Sequence, residues 1–119
     1  MKAISFIFLS CMLTFAHAKI DPIENFIFSD SLFVDAIMNE DYNLLDSLLR
    51  EAKVNVNHLY NGKTFVIYAC IFNKPEIVRF LYNNGADIGI RCEDGYLPED
   101  HANANNAIHA LSEIVIIKA

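Results

Sequence analysis

The sequence predicts an all-α chain, a short solenoid of stacked helix-turn-helix units joined by extended hairpin loops. Three observations carry that prediction. Asn61-Gly62 in "NGKTFVIYACIF" and Asp94-Gly95 in "DGYLPEDHANAN" place two glycines 33 residues apart, and the same offset aligns Ala36, Ala69 and Ala102. Two matching segments, "DYNLLDSLLREA" and "KPEIVRFLYNNGAD", follow the first two alanines. Both carry apolar residues at helical spacing: Leu44, Leu45, Leu48 and Leu49 in one, Ile77, Val78, Phe80 and Leu81 in the other. A chain of 119 residues, 54% hydrophobic and 20% charged, suits one compact domain and leaves no room for a second.

Taken in order, residues 1–18, "MKAISFIFLSCMLTFAHA", have Lys2, an apolar run from Ala3 to Ala16 and the small-x-small triplet Ala16-His17-Ala18. This is the order of a secretory signal peptide cleaved before Lys19. The competing readings are a transmembrane anchor or a buried first helix, and the apolar run is shorter than the roughly 20 residues a bilayer requires. A lipid-anchored form would need Cys11 as acceptor, and Phe8 stands where a small aliphatic residue belongs. The expected location is therefore outside the cytoplasm, periplasmic or secreted, with no membrane span after cleavage. Residues 19–28 follow as an N-terminal capping segment: Asp21-Pro22 with Glu24 is a helix-start signature, and Ile23, Phe26 and Ile27 have helical spacing. It is read as a short helix covering the open end of the first unit, since an uncovered solenoid end exposes apolar surface.

Each unit is a short helix, a longer helix and a turn-rich loop, too small to bury its apolar face alone, so neighbours must stack. Alanine at the repeated position lets helices approach closely. Asn73 marks a helix stop, Pro75 suits the first turn of the next helix, and Glu76 sets an anion at the positive end of its dipole. Asn84-Gly85 ends that helix, because glycine adopts the left-handed conformation of a C-terminal cap without a Cβ penalty. The tail "GADIGIRCEDG" then leaves the stack as an extended arm with a polar tip.

These residues resemble the ankyrin repeat. "NGKT", "YA", "PEIVRFL" and "NNGAD" carry the similarity in the second unit, residues 62–94. The first, residues 29–61, has two similar helices in "DAIMNEDYNLLDSLL" but "EAKVNVN" in place of the Gly-Ala-Asp ending. The third, residues 95–119, keeps Gly95 and Pro98 and closes as a partial capping repeat with "AIHALSEIVII". Phe65 and Ile67 depart from the family's usual Pro and His, and Glu99 and His101 replace apolar positions. The resemblance implies a non-enzymatic protein-interaction module that binds a protein partner through the concave strip of loop tips and first helices. Carried over position by position, the strip comprises His58, Tyr60, Asn61 and Lys63 at the first tip and Arg91, Glu93, Asp94 and Tyr96 at the second. Met38, Asn39, Ile71, Phe72, Ala104 and Asn105 come from the first helices. Tyr60, Phe72 and Tyr96 are the expected anchors, because aromatic side chains dominate interface energetics. For Phe72 and Ile71, inward packing between helices is the competing reading.

Composition narrows the partner. Nine Lys and Arg against fifteen Asp and Glu give a net charge of −6, and loss of Lys2 with the leader would make it −7. Such a surface repels nucleic acid and suits a basic protein. An inhibitor or immunity protein masking a secreted toxin or hydrolase is the narrower alternative, since small size, export and acidity fit it. A small thiol or metal enzyme is the alternative of another class. No cofactor or metal is expected: His58, His101, His109 and Cys92 lack the paired short spacings of a zinc site, and Cys70 sits among Ala69, Ile71 and Phe72. Glu40-Asp41, Glu93-Asp94 and Glu99-Asp100 fall at loops or helix starts, where solvated acids are usual. An exported chain permits a Cys70–Cys92 disulfide, which geometry decides.

Overall fold

The computed structural model describes residues 22–119, with side chains from residue 29 onward. The signal peptide read at residues 1–18 lies outside the described residues. Six helices follow in order: α1 Pro22–Asn39, α2 Tyr42–Arg50, α3 Phe65–Ile71, α4 Pro75–Asn83, α5 Pro98–Ala104 and α6 Ile108–Lys118. The helix expected as a short separate cap is continuous with the first helix of the first unit. No breaker stands between Ile27 and Ala36 in "IFSDSLFVDA", so nothing stops the helix that begins at Pro22.

The 33-residue period is visible in the backbone. Glu40, Asn73 and Asn106 all hold positive φ, at 54°, 55° and 53°, and each ends a first helix in the same way. The next residue's N–H returns to an alanine carbonyl: Asp41 to Ala36 at 2.9 Å, Lys74 to Ala69 at 2.9 Å and Ala107 to Ala102 at 2.8 Å. These are six-to-one bonds of Schellman caps. The repeated alanines therefore serve twice. They are buried to 1% or less, which lets helices approach, and they accept the bond that stops the chain.

The second helices start in register, at Tyr42, Pro75 and Ile108. Asp41 caps α2 by accepting from the Leu44 N–H at 3.1 Å. Ala107 has no side chain to cap α6, and Asn73 of the preceding unit supplies the acceptor, 3.0 Å from the Ala110 N–H. Gly85, at φ +95°, ends α4, with Ala86 N–H returning to Leu81 at 2.9 Å. In the first unit Lys53, Val54 and Asn55 do the work of Gly85, Ala86 and Asp87. Lys53 takes positive φ, Val54 is buried and bonds back to Leu48, and Asn55 accepts from a backbone N–H two residues on, as Asp87 does.

The helices form two rows. α3 packs on α1 and α5 in the first row, while α4 packs on α6 and the Tyr42–Phe80 edge contact, 5.6 Å between centroids, joins α2 to α4 in the second. Phe33, Ile37, Leu45, Phe65, Val66, Ile77, Val78, Leu81 and Ile114 fill the space between the rows. Cys70 and Cys92 are both buried and free, so the disulfide that export would permit is not formed. Burial pushes the Cys70 thiol up to about 12, which leaves it a small hydrophobe. Among the described residues no helix is long and apolar enough to cross a membrane.

Candidate functional site

Two loop tips stand beside the first row of helices. At the first, Tyr60 and Lys63 exchange backbone hydrogen bonds of 2.9 and 3.1 Å around Asn61-Gly62, whose φ values of 50° and 80° are both positive. Asn-Gly is the pair that such a hairpin turn favours. At the second, the Cys92 N–H donates to the Tyr96 carbonyl at 2.8 Å and Gly95 N–H returns to Cys92 at 2.9 Å. The tips are tied together. Glu93 N–H donates to the Gly62 carbonyl at 2.9 Å and its carboxyl group lies over Gly62. Further along, the Asn57 amide spans the loops, donating to Gly85 O at 3.0 Å and accepting from Asp87 N–H at 2.8 Å.

Tyr60, Asn61, Lys63, Glu93, Asp94 and Tyr96 are thus gathered at adjoining tips. Arg91 braces the second by donating to the Gly95 carbonyl at 2.8 Å. Tyr96, 57% exposed, is the anchor open to solvent. Tyr60 is half-buried and packs on the core, with its ring 6.2 Å from Tyr68, so it braces its tip as well as presenting a surface. Phe72 and Ile71 are half-buried at the end of α3, and Phe72 also rests on the core, with its ring stacked 6.3 Å from Tyr68. Met38 and Asn39, and Ala104 and Asn105, are exposed at the ends of α1 and α5. His58 is engaged elsewhere: its Nε2 lies 2.7 Å from an oxygen of Asp30, a buried acid on α1. The pair ties the first loop to the first helix.

Sequence reasoning passed over Tyr68. Its hydroxyl donates to the Tyr60 carbonyl at 2.8 Å, and its ring bridges Tyr60 and Phe72, making one aromatic row from tip to helix. The signal was present in the spacing of Tyr68 and Phe72, four apart on one helix face. Burial raises the Tyr68 hydroxyl above its ordinary value, with Tyr60 and Glu93 adding to it, so it stays a donor at physiological pH. In the sequence His101 stands as a departure from an apolar pattern and as a histidine without the spacing of a zinc ligand. It lines a groove of about 650 Å³ with Tyr96, Asp100, Asn103 and Ala104, and Tyr96 stands edge-on to it at 6.3 Å. Burial, with Lys63 next in size, lowers its imidazole below the usual range against the opposing pull of Asp100 and Asp94. At neutral pH it is uncharged.

Asp100 accepts from the Leu97 N–H at 2.8 Å and Glu99 meets Lys118 at 2.6 Å, so both acids at the start of α5 are used within the fold. Among the described residues no cluster of three or more His, Cys, Asp and Glu could hold a metal ion. The arrangement is a surface of aromatic rings, amides and acids on a braced scaffold.

A family model described as ankyrin repeats, in three copies, matches residues 33–116. No curated protein matches the sequence significantly. Among solved structures, the chain is similar to one chain of the complex between the predatory endopeptidase Bd0816 of Bdellovibrio bacteriovorus and the immunity protein Bd3460. The TM-score is 0.63 at 20% identity, over 70% of this chain and 44% of that chain. This chain thus matches less than half the length of the chain it resembles, and the likeness is one of fold. The period of 33, the three matching helix stops, the paired helices and the family match over residues 33–116 agree, and the chain belongs to the ankyrin repeat family.

Proposed function

We propose that this chain is a non-enzymatic, exported protein-binding module whose working surface runs along the two loop tips and the ends of α1, α3 and α5. The observation that carries the reading is the aromatic row Tyr60, Tyr68 and Phe72 leading to the open Tyr96 groove, on tips cross-braced by Gly62 and Glu93. Braced aromatics lose little conformational entropy on binding, which is what an interface anchor requires. Arg91, Lys63, Glu93 and Asp94 form its charged rim. The net charge of −6 favours a basic protein partner.

A narrower reading has support from one observation. A solved structure that shares this fold comes from a complex of an endopeptidase with an immunity protein, and masking a secreted hydrolase would suit a small acidic export. The test is affinity capture from the exported fraction with mass spectrometry, followed by association rates at several salt concentrations. Replacing Glu93 and Asp94 by Lys should slow association and reduce its salt sensitivity. Unchanged rates and salt slope would remove the acidic rim from the account. For the narrower reading, stoichiometric addition of the chain should suppress a captured hydrolase. A hydrolase that keeps its activity while bound would dismiss the masking role.

A further inference from the structure

The groove beside α5 has a definite chemistry. Tyr96 forms one wall with its ring open to solvent, the His101 imidazole stands edge-on to it, and Asp100, Asn103 and Ala104 complete the lining. Asp100 is exposed and spends only Oδ2 on the Leu97 N–H, which leaves Oδ1 to accept from a ligand. Asn103, three residues on and also exposed, adds an amide carbonyl on the same helix face. The His101 Nε2 is buried without a hydrogen-bond partner among the described residues, so a charged imidazole would leave an N–H unanswered there. The ring is neutral and does not repel a cation.

Charge complementarity names the occupant. Arg50, Lys74, Arg79 and Lys118 are each matched by a carboxylate within the chain. Glu93, Asp94 and Asp100 make no ion pair among the described residues; the cations near them are Lys63, across at the first tip, and Arg91, turned to the Gly95 carbonyl. Three carboxylates against two cations leave this corner net negative. A guanidinium suits it better than an ammonium, because a guanidinium stacks on an aromatic face while its fixed fork of N–H groups reaches a carboxylate and an amide carbonyl together. We propose that the Tyr96 groove is a pocket for an arginine side chain of the protein partner, stacked on Tyr96 and hydrogen-bonded to Asp100 and Asn103. The pocket rests on the partner surface proposed above and specifies the chemistry which that surface reads.

The probe is acetyl-Gly-Arg-Gly-amide titrated into the chain and followed by NMR at the Tyr96 and His101 rings. Shifts at both rings should saturate in the millimolar range, the lysine peptide should bind at least about five-fold more weakly, and the glutamate peptide should leave both rings unmoved. Asp100→Asn keeps an oxygen for the Leu97 N–H, so it should weaken the arginine peptide at least about five-fold with melting unchanged. Equal binding of arginine and lysine peptides, saturation without movement at Tyr96, or full affinity in Asp100→Asn would each overturn the proposal. A captured partner separates the two claims. A partner weakened by Tyr96→Ala but neither by Asp100→Asn nor by competing arginine peptide would overturn the pocket and leave the surface standing. A partner indifferent to Tyr96→Ala would remove the surface, and the proposal with it.

Discussion

His58→Ala and Asp30→Asn remove the two halves of one ion pair, and the structure predicts very unequal consequences. The Asp30 side chain is 2% exposed and its Oδ1 is buried without a hydrogen-bond partner among the described residues, where its charge is held chiefly by the His58 imidazole 2.7 Å from Oδ2. Taking the imidazole away leaves a buried carboxylate uncompensated, which costs about 3 kcal/mol, and also removes a ring packed 6.0 Å from Phe65. Asp30→Asn keeps the shape, removes the charge and should fall within about 1 kcal/mol of wild type. For a domain of this size 3 kcal/mol is a fall of more than roughly 10 °C in Tm. The pH dependence has a definite sign. Burial raises the Asp30 carboxyl, and the charge and hydrogen bond of His58 lower it only in part. A raised folded value means that the native state binds more protons, so this group's contribution to stability falls as pH rises from about 4 through the raised value. The deficit of His58→Ala should therefore shrink on acidification, and Asp30→Asn should flatten that segment of the profile. Thermal melts by circular dichroism at a series of pH values measure both. An Asp30→Asn chain as unstable as His58→Ala at neutral pH would show that the buried charge is not what His58 compensates.

Other positions separate effects in the same way. Gly62→Ala and Gly95→Ala share the strain of positive φ, about 1 kcal/mol, but only at Gly62 would the new Cβ overlap the Glu93 carboxyl group. Denaturant melts should show Gly62→Ala as the worse, and the excess should vanish in a Glu93→Ala background. Ala69→Leu and Ala102→Leu overpack fully buried sites at about 1–3 kcal/mol, whereas Ala104→Leu, on exposed surface, should leave Tm unchanged; equal losses at all three would contradict the packing. Cys70, with its thiol near 12, should resist alkylation at pH 8 in the native chain and react on unfolding. Rapid native labelling at Cys70 would show that its helix face is not closed.

The repeat was legible because its markers are residue types with one dominant cause. Ala36, Ala69 and Ala102 gave the register, Gly62 and Gly95 the tips, Pro75 and Gly85 the limits of α4. Stops made by Glu40 and Asn106 were harder to see, since a left-handed conformation at Glu or Asn is imposed by the Schellman bonds around it. Lys53 hid the close of the first unit for the same reason. The fusion of the N-terminal segment with α1 depended on the absence of a breaker, which is a weaker signal than its presence. Within the candidate surface, Tyr60, Asn61, Lys63, Glu93, Asp94 and Tyr96 came from the tip positions that the resemblance to ankyrin repeats implies, and the structure gathers them at adjoining tips. Tyr68 was hidden because "YA" reads as a mark of helix register, and its role depends on a hydroxyl bond to Tyr60, a residue outside its helix. The Asp30–His58 pair spans 28 residues between different units, a distance over which local patterns carry no information.

If partners are held along the tips and first-row helices, two exposed tyrosines on different faces should respond differently to truncation. Tyr96 lines the groove beside α5, while Tyr82, 41% exposed, lies on α4 in the second row. Isothermal titration of a captured partner should show Tyr96→Ala weakening binding by at least about 2 kcal/mol, roughly 30-fold in Kd, with melting unchanged, and Tyr82→Ala leaving affinity intact. Loss of binding with Tyr82→Ala and full affinity with Tyr96→Ala would place the working surface on the second row and contradict the account.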